Sequence, residues 1–381
     1  MKAFAVLGRL DWSLVVLTCA LGMLGVVFIG SATASAHGTG FSGQDSRQLL
    51  GLTIALGLGF LVVLVPYVKV MRLAPWLYVL AVLALMALFA FGTVKNGSRR
   101  WLGPAAIQVQ PSEFAKLAVI IALAAYLRLK SHARTWDGLL VPLAITLVPA
   151  VLVLAQPDLA TSLVLWPVWL AMCWAAGAPT RPLLWLLAFA ALGTWLAYGS
   201  LHGYQQQRIE VWLQHWNWNL GDAKAQALLQ GPAYQPWQSL IALGSGGLFG
   251  HGLHQGPQNV YGFLPYRSED YIFAVVGEET GFAGAIGLLL LELALAGGCL
   301  RIALRTRERF GRLLCVGVAV YLATQALVHA AVCAWLLPST GLPLPLISAG
   351  RSSCFVTVLA VALVLNVGAR REPVLAADGY R

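Results

Sequence analysis

Charge is what this sequence is short of. Only 10% of its 381 residues are Asp, Glu, Lys or Arg, where a soluble domain carries roughly a quarter. That shortfall excludes an ordinary water-soluble domain. Acids are the scarcer sign, 15 against 25 bases, which gives a formal net charge of +10. Cysteine is sparse too: Cys19, Cys173, Cys299, Cys315, Cys333 and Cys354 form no CxxC pair, and all fall inside apolar runs. They read as small packing residues, not as disulfides or metal ligands. There is no internal repeat and no appended soluble domain.

What is abundant is apolar surface: 59% of the residues are hydrophobic. Runs of about 18 or more apolar residues recur, each long enough to cross a hydrocarbon core of about 30 Å. The chain therefore reads as an all-α polytopic integral membrane protein, a single membrane domain over 1–381. Ten transmembrane helices are expected at 13–32, 48–66, 75–94, 113–128, 139–155, 159–177, 183–201, 271–299, 313–337 and 353–368. "SATASA", Ser31 to Ala36, imitates a signal-peptidase site, but the apolar run before it exceeds the 7–15 residues of a signal segment, so an uncleaved first span is expected. Lys and Arg in flanking loops set the orientation. Cytoplasmic N- and C-termini put sixteen of the 25 basic residues inside, among them Lys2, Arg9, Arg128, Lys130, Arg134, Arg301, Arg309, Arg370, Arg371 and Arg381. Loop flanks account for the positive charge, so no nucleic acid is implied.

Loops are short except for a large outer one at 201–270, between spans 7 and 8. Its Trp, Tyr and apolar content argues against disorder and for short amphipathic helices on the membrane surface. Trp212, Trp216, Trp218 and Trp237 read individually as an interfacial aromatic belt. The 271–299 run is too long for one upright span, so it should tilt, kink near Gly277 or Gly281, or begin above the membrane.

Four outward clusters could carry chemistry. "NGSRRWLGPAAIQVQPSEFAKL" brings Arg99 and Arg100 to a loop the positive-inside rule keeps poor in cations, then Glu113 and Lys116 on one helical face. "QPDLATS" supplies Asp158 just before a span. The third cluster runs from Arg208 to "FLPYRSEDYIFAVVGEETGF", with Glu269, Asp270, Glu278 and Glu279. The fourth, "LPSTGLPLPLISAGRSS", carries Arg351. Each acid alone could be a helix-dipole partner, with Ser268 as N-cap before Asp270, and Glu113–Lys116 a plain ion pair. Counting about 1.5 Å and 100° per residue, Glu278 lies about 12 Å below Asp270 and offset by roughly 80°. It is therefore expected at the same cavity, while Glu279 points away into helix packing. Together these acids and cations suggest a site for a polar, anionic, lipid-borne substrate.

In this order the motifs resemble the SEDS family, whose members are RodA, FtsW and a sporulation relative. The resemblance implies a ten-span peptidoglycan glycosyltransferase in the bacterial inner (cytoplasmic) membrane. "YQQQRI" and the "GPQ" after "GHGL" look more like RodA, the elongation member, than the division member FtsW. The likeness implies Asp270 as the essential carboxylate, Glu113 and Lys116 as cavity residues, Arg99, Arg100 and Trp101 in an outer-loop motif, and Asp158 in "QPDL". The chain departs from the family pattern at Glu269, where a Thr is usual, at Arg351 inside the usual "SYGGSS", at His329 for Asn and at Ala160 for Gly. Arg351 reads as facing lipid headgroups more than phosphate.

The implied substrate is lipid II, and the implied partners are the nascent glycan strand, membrane lipids and a class B penicillin-binding protein transpeptidase. This chain has no serine transpeptidase motif of its own. An inverting transfer needs a base at the incoming hydroxyl and cations on the departing pyrophosphate. Asp270 is the expected base, with Lys116, Arg99, Arg100 and Arg208 as candidate cations. A helix N-terminus would lower the Asp270 pKa, while desolvation or Glu269 would raise it. No cofactor is required by the sequence; a divalent cation, Mg or Mn, is an open alternative. His251 and His254 read as loop residues. A lipid-linked precursor flippase and a scaffold for a wall-synthesis partner are the competing readings.

Overall fold

The computed structural model describes residues 6–33, 43–95, 98–104, 108–129, 136–186, 188, 199, 203–217 and 223–370. Most of the expected seventh span lies outside these residues, as do Ala34 to Ala36, Trp218, Lys2, Lys130, Arg134, Arg371 and Arg381.

Helices dominate because the long apolar runs can satisfy their backbone in lipid only internally. In chain order they are α1 Trp12–Thr33, α2 Gly43–Leu64, α3 Tyr67–Phe91, α4 Pro111–Leu127, α5 Trp136–Ala155, α6 Leu159–Ala175, α7 Gly203–Gln214, α8 Ala223–Leu229, α9 Tyr234–Ser245, α10 Pro257–Val260, α11 Ile272–Arg305, α12 Arg309–Cys333 and α13 Arg351–Ala369. Among the described residues, seven stretches are long and apolar enough to cross a membrane: α1, α2, α3, Gly138–Ala155 within α5, α11, α12 and α13. α4 and α6, 17 residues each, are shorter. The chain is a multi-pass membrane protein. α3 runs straight through Pro75, so it starts eight residues before the expected span.

The core sits where α4, α12 and α13 meet. Fourteen of the 17 residues of α4 are buried, against four of the 25 in α3, so α3 is peripheral and lipid-facing. The segment between 201 and 270 contains α7 to α10. There Val211, Ala233 and Trp335 form a satellite cluster that Trp212 and Trp237 pack against. Those two Trp residues thus hold the outer segment down onto the end of α12, a correction to the belt reading; Trp216 is exposed.

Among the described residues there is one short ribbon, β1 Thr93–Lys95 paired antiparallel with β2 Ser98–Trp101. Neighbouring side chains on a strand point to opposite faces. Arg99 accordingly turns back to the Phe89 carbonyl at 3.0 Å, while Arg100 reaches the 156–158 turn.

α11 is 34 residues long and breaks at Gly281, where φ is +71° and ψ −172°. A Cβ there would stand 2.4 Å from the Gly250 nitrogen and 2.5 Å from the Leu248 backbone, so only glycine fits. The freed backbone groups are taken up by the outer segment. Phe282 N–H donates to Gly247 O at 2.8 Å, and His251 N–H to Glu278 O at 3.1 Å. At the far end of α11, Arg301 pairs with Asp11 at 2.8 Å, and nearby Arg309 donates to Arg128 O.

Candidate active site

A cavity of about 730 Å³ opens among the N-terminal ends of five helices. Gln44, Arg47 and Gln48 come from the start of α2, Gln235 from α9, and Arg351 to Ser353 from α13. Gln110 caps α4 and Asp270 immediately precedes the cap of α11. Each N-terminus carries about half a positive charge. Arg47, Arg100, Arg208 and Arg351 line the same walls, against two carboxylates, Glu269 and Asp270. The interior is therefore a cationic bowl with one acidic patch.

Asp270 is half-buried and lies on the wall of this bowl. It is not a helix cap: the cap of α11 is Tyr271, and it makes no side-chain cap bond. Ser268, the expected cap, donates to Gln44 Oε1 at 3.4 Å instead. Burial chiefly, and then the Glu269 carboxylate, push the Asp270 pKa up to about 6; Arg208 and Arg100 pull against them. Of the two opposed effects the sequence left open, desolvation wins. Gly341, at φ +75°, faces the carboxylate: a Cβ there would lie 3.6 Å from Asp270 Oδ2. The strand of chain before α13 is tied to the one before α11, with Ala349 N–H donating to Ser268 O at 2.8 Å and Ser348 Oγ to Glu269 O at 2.7 Å.

Arg100 and Arg208 enter the bowl already anchored. Arg100 donates to the Pro157 carbonyl and lies 3.9 Å from Asp158. Arg208 donates to Ser339 O at 3.1 Å. Asp158 does not line the cavity. It caps α6, accepting from Thr161 N–H at 3.2 Å and Thr161 Oγ1 at 2.9 Å, and so orients Arg100 from behind. Arg99 is also outside, turned away by the strand alternation.

Glu113 and Lys116 correct the expectation of cavity residues. Both are 1% exposed, paired at 2.8 Å, and sit behind the wall. Lys116 Nζ also donates to Gln325 Oε1 at 3.2 Å, and Gln325 Nε2 donates to Pro343 O at 2.7 Å. Pro343 lines the cavity, two residues from Gly341. His329, one turn along α12, holds Leu342 O at 2.6 Å. The pair thus braces the loop that faces Asp270 and does not touch the bowl.

Glu278 is a second correction. It accepts from Gln258 N–H at 2.7 Å and Asn259 N–H at 3.2 Å, at the start of α10. Glu279 accepts from Ser31 Oγ at 2.5 Å and Asn259 Nδ2 at 2.8 Å. Both acids fasten the outer segment to the bundle. Arg351 is the third correction: it lines the bowl instead of facing headgroups alone. Arg47 was missed; its only sequence signal is a cation at the start of a span on the side where cations are few. His251 and His254 lie in the segment beside Glu278 and Glu279, not in the bowl.

The family model described as "Cell cycle protein", FtsW/RodA/SpoVE, matches residues 11–372. The chain belongs to the FtsW/RodA/SpoVE family. Among relatives in that family, the probable peptidoglycan glycosyltransferase FtsW of Aeromonas salmonicida is 33% identical over 369 residues, covering 94% of this chain and 90% of its own. The peptidoglycan glycosyltransferase MrdB of Escherichia coli is 34% identical over 337 residues, covering 87% and 88%. A solved chain from work on polymerization and crosslinking by a peptidoglycan synthase complex superposes with a TM-score of 0.79 at 30% identity, over 96% of this chain and 99% of the other. The rod-shape-determining protein RodA of Thermus thermophilus gives 0.70 at 31%, over 95% and 98%. Division-type and rod-shape-type proteins are thus both among the FtsW/RodA/SpoVE relatives.

Proposed function

We propose that this chain is a peptidoglycan glycosyltransferase that polymerises lipid II, with the cavity at the outer face of the bacterial inner membrane. The observation that carries the reading is the placement of Asp270 in a cationic bowl together with Arg100 and Arg208. Ten spans with cytoplasmic termini complete the topology. Its support is the separation of Arg301, Arg305, Arg309 and Arg370 at the helix ends remote from the bowl.

Asp270, with a pKa near 6, is mostly ionised at neutral pH yet basic enough to accept the proton of an incoming GlcNAc 4-hydroxyl. That oxygen attacks the MurNAc anomeric carbon as the α-linked pyrophosphate leaves, giving a β-linkage. Arg100 and Arg208 take up the developing phosphate charge, and their backbone anchors fix them before the reaction. Asp158 orients Arg100, and Lys116, braced by Glu113, supports the loop opposite. Arg99 and Glu278 carry no chemical role. Asp270 and Glu269 would also suit Mg or Mn, which binds through one or two carboxylates plus substrate phosphates; such an ion would neutralise pyrophosphate charge.

We assign the chain to elongation and rod shape, on the strength of "YQQQRI" and "GPQ" in the outer segment. The partner is a class B penicillin-binding protein transpeptidase, supported by the synthase-complex superposition. The test is purified protein with labelled lipid II, with and without that partner and a chelator. Polymer is expected from wild type and none from folded Asp270→Asn. Lipid movement between leaflets without polymer would establish a flippase instead, and neither activity a scaffold. Rescue of a strain depleted of its elongation polymerase, and not of one depleted of its division polymerase, checks the role.

A further inference from the structure

Asp270 and its two anchored arginines line the bowl, and so does the start of α13, whose chemistry is that of an anion site. We infer that this N-terminus is a dedicated pyrophosphate subsite, built by Arg351, Ser353 and the first amides of α13, with Arg47 beside it. It rests on the reading that the cavity takes a polyprenyl-pyrophosphate-linked sugar, and it adds to Arg100 and Arg208 a second set of contacts for that group.

The first helical hydrogen bond of α13 runs from Cys354 N–H to Gly350 O at 2.9 Å, so the three preceding amides have no helical acceptor. The cap, Gly350, offers no side chain to take them. Such an end attracts phosphate through its amides and its dipole together. The independent observation is Ser353. It is 4% exposed and lines the cavity, and its hydroxyl has no hydrogen-bond partner among the described residues. A buried hydroxyl on a cavity wall needs an acceptor, and a phosphate oxygen is one. Its neighbour Ser352 is already engaged, accepting from Gln110 N–H at 3.0 Å.

Arg351 brings the matching charge, in a planar fork suited to two phosphate oxygens. It runs along α2: its Cγ lies 3.7 Å from where a Cβ on Gly51 would stand, one turn from Arg47. The tie between Ala349 and Ser268 holds this end of α13 against the end of α11 that carries Asp270. Base and subsite therefore share one rigid frame. The same chemistry would recognise the headgroup of an anionic phospholipid, so the test has to separate the two sources.

The test is binding of farnesyl pyrophosphate to the full chain in non-ionic detergent. Arg351→Ala and Ser353→Ala should each raise Kd about tenfold, while Ser353→Thr, which keeps the hydroxyl, should recover most of the lost affinity. Arg351→Lys should bind between wild type and Arg351→Ala, because it keeps the charge and loses the fork. Phosphatidylglycerol micelles in hundredfold excess should not displace the probe. Unchanged Kd in both alanine variants, each eluting as a monodisperse peak, overturns the subsite. Displacement by phosphatidylglycerol at probe concentration overturns it in favour of a lipid-headgroup site. The readout needs no polymer, so a chain that fails to polymerise lipid II but loses the probe in these variants keeps the subsite and loses only the catalytic reading.

Discussion

Replacing Asp270 by Asn should abolish polymerisation and at the same time make the protein more stable at neutral pH. The carboxyl has a pKa of about 6 in the folded protein against an ordinary 3.8, and each pKa unit is worth 1.36 kcal/mol. Holding the charged form in the bowl at pH 7 therefore costs about 3 kcal/mol, with the pull of Arg208 and Arg100 already included. The sign follows from proton binding. Between pH 3.8 and 6 the folded state binds more protons than the unfolded chain, so stability falls as pH rises through that window and levels off above it. Asn has no charge to hold. Its advantage should be about half a kcal/mol at pH 4, grow through pH 5, and reach up to about 3 kcal/mol above pH 7. With an ordinary entropy of unfolding for a chain of this length, that is a rise in Tm of about 4 °C. The assay is thermal unfolding of wild type and Asp270→Asn in one detergent at pH 4.5, 6 and 7.5. The wild-type polymerisation rate, measured alongside, should be half-maximal near pH 6 and about tenfold lower at pH 5 than its plateau. A variant less stable than wild type at pH 7.5 would refute the reasoning, because it would mean the carboxylate serves the fold.

The remaining expectations concern the frame around the base. Lys116→Met leaves Glu113 buried and unpaired and should cost about 3–5 kcal/mol, whereas Glu113→Leu with Lys116→Met should recover most of it; thermal unfolding of the set checks this. Gly341→Ala forces a side chain into left-handed backbone, about 1–2 kcal/mol, and sets a methyl 3.6 Å from Asp270 Oδ2. It should lower kcat at least tenfold with the protein still folded, read by polymerisation and gel filtration. Asp158→Ala removes the α6 cap, about 1 kcal/mol, and one of the groups that orient Arg100, so KM for lipid II should rise more than kcat falls.

Seven of the expected spans were legible because run length decides them, and Asp270, singled out together with the other clustered charges, lines the bowl. The face shared by Glu113 and Lys116 also followed from helical spacing. Their placement behind the wall did not, since it depends on where α12 puts Gln325. Glu278 was misplaced for a definable reason. The 80° offset treats Asp270 as helical, but α11 begins at Ile272, so the count starts from the wrong residue. Arg99 and Arg100 look equivalent in a loop; the β1–β2 ribbon sends them to opposite faces. Arg47 and Arg351 lie about three hundred positions apart, and only the packing of α13 along α2 brings them to one wall.

The break at Gly281 has a mechanical consequence. A continuous rod spanning the bilayer would carry every change of inclination, as lipid thickness varied, straight up to the carboxylate. Here the surface segment holds the nine residues above the joint through Glu278, Glu279 and the 251–252 amides, and the first residues below it through the 247–248 carbonyls. The joint is fastened on both of its sides, and that fixes the aim of the acid.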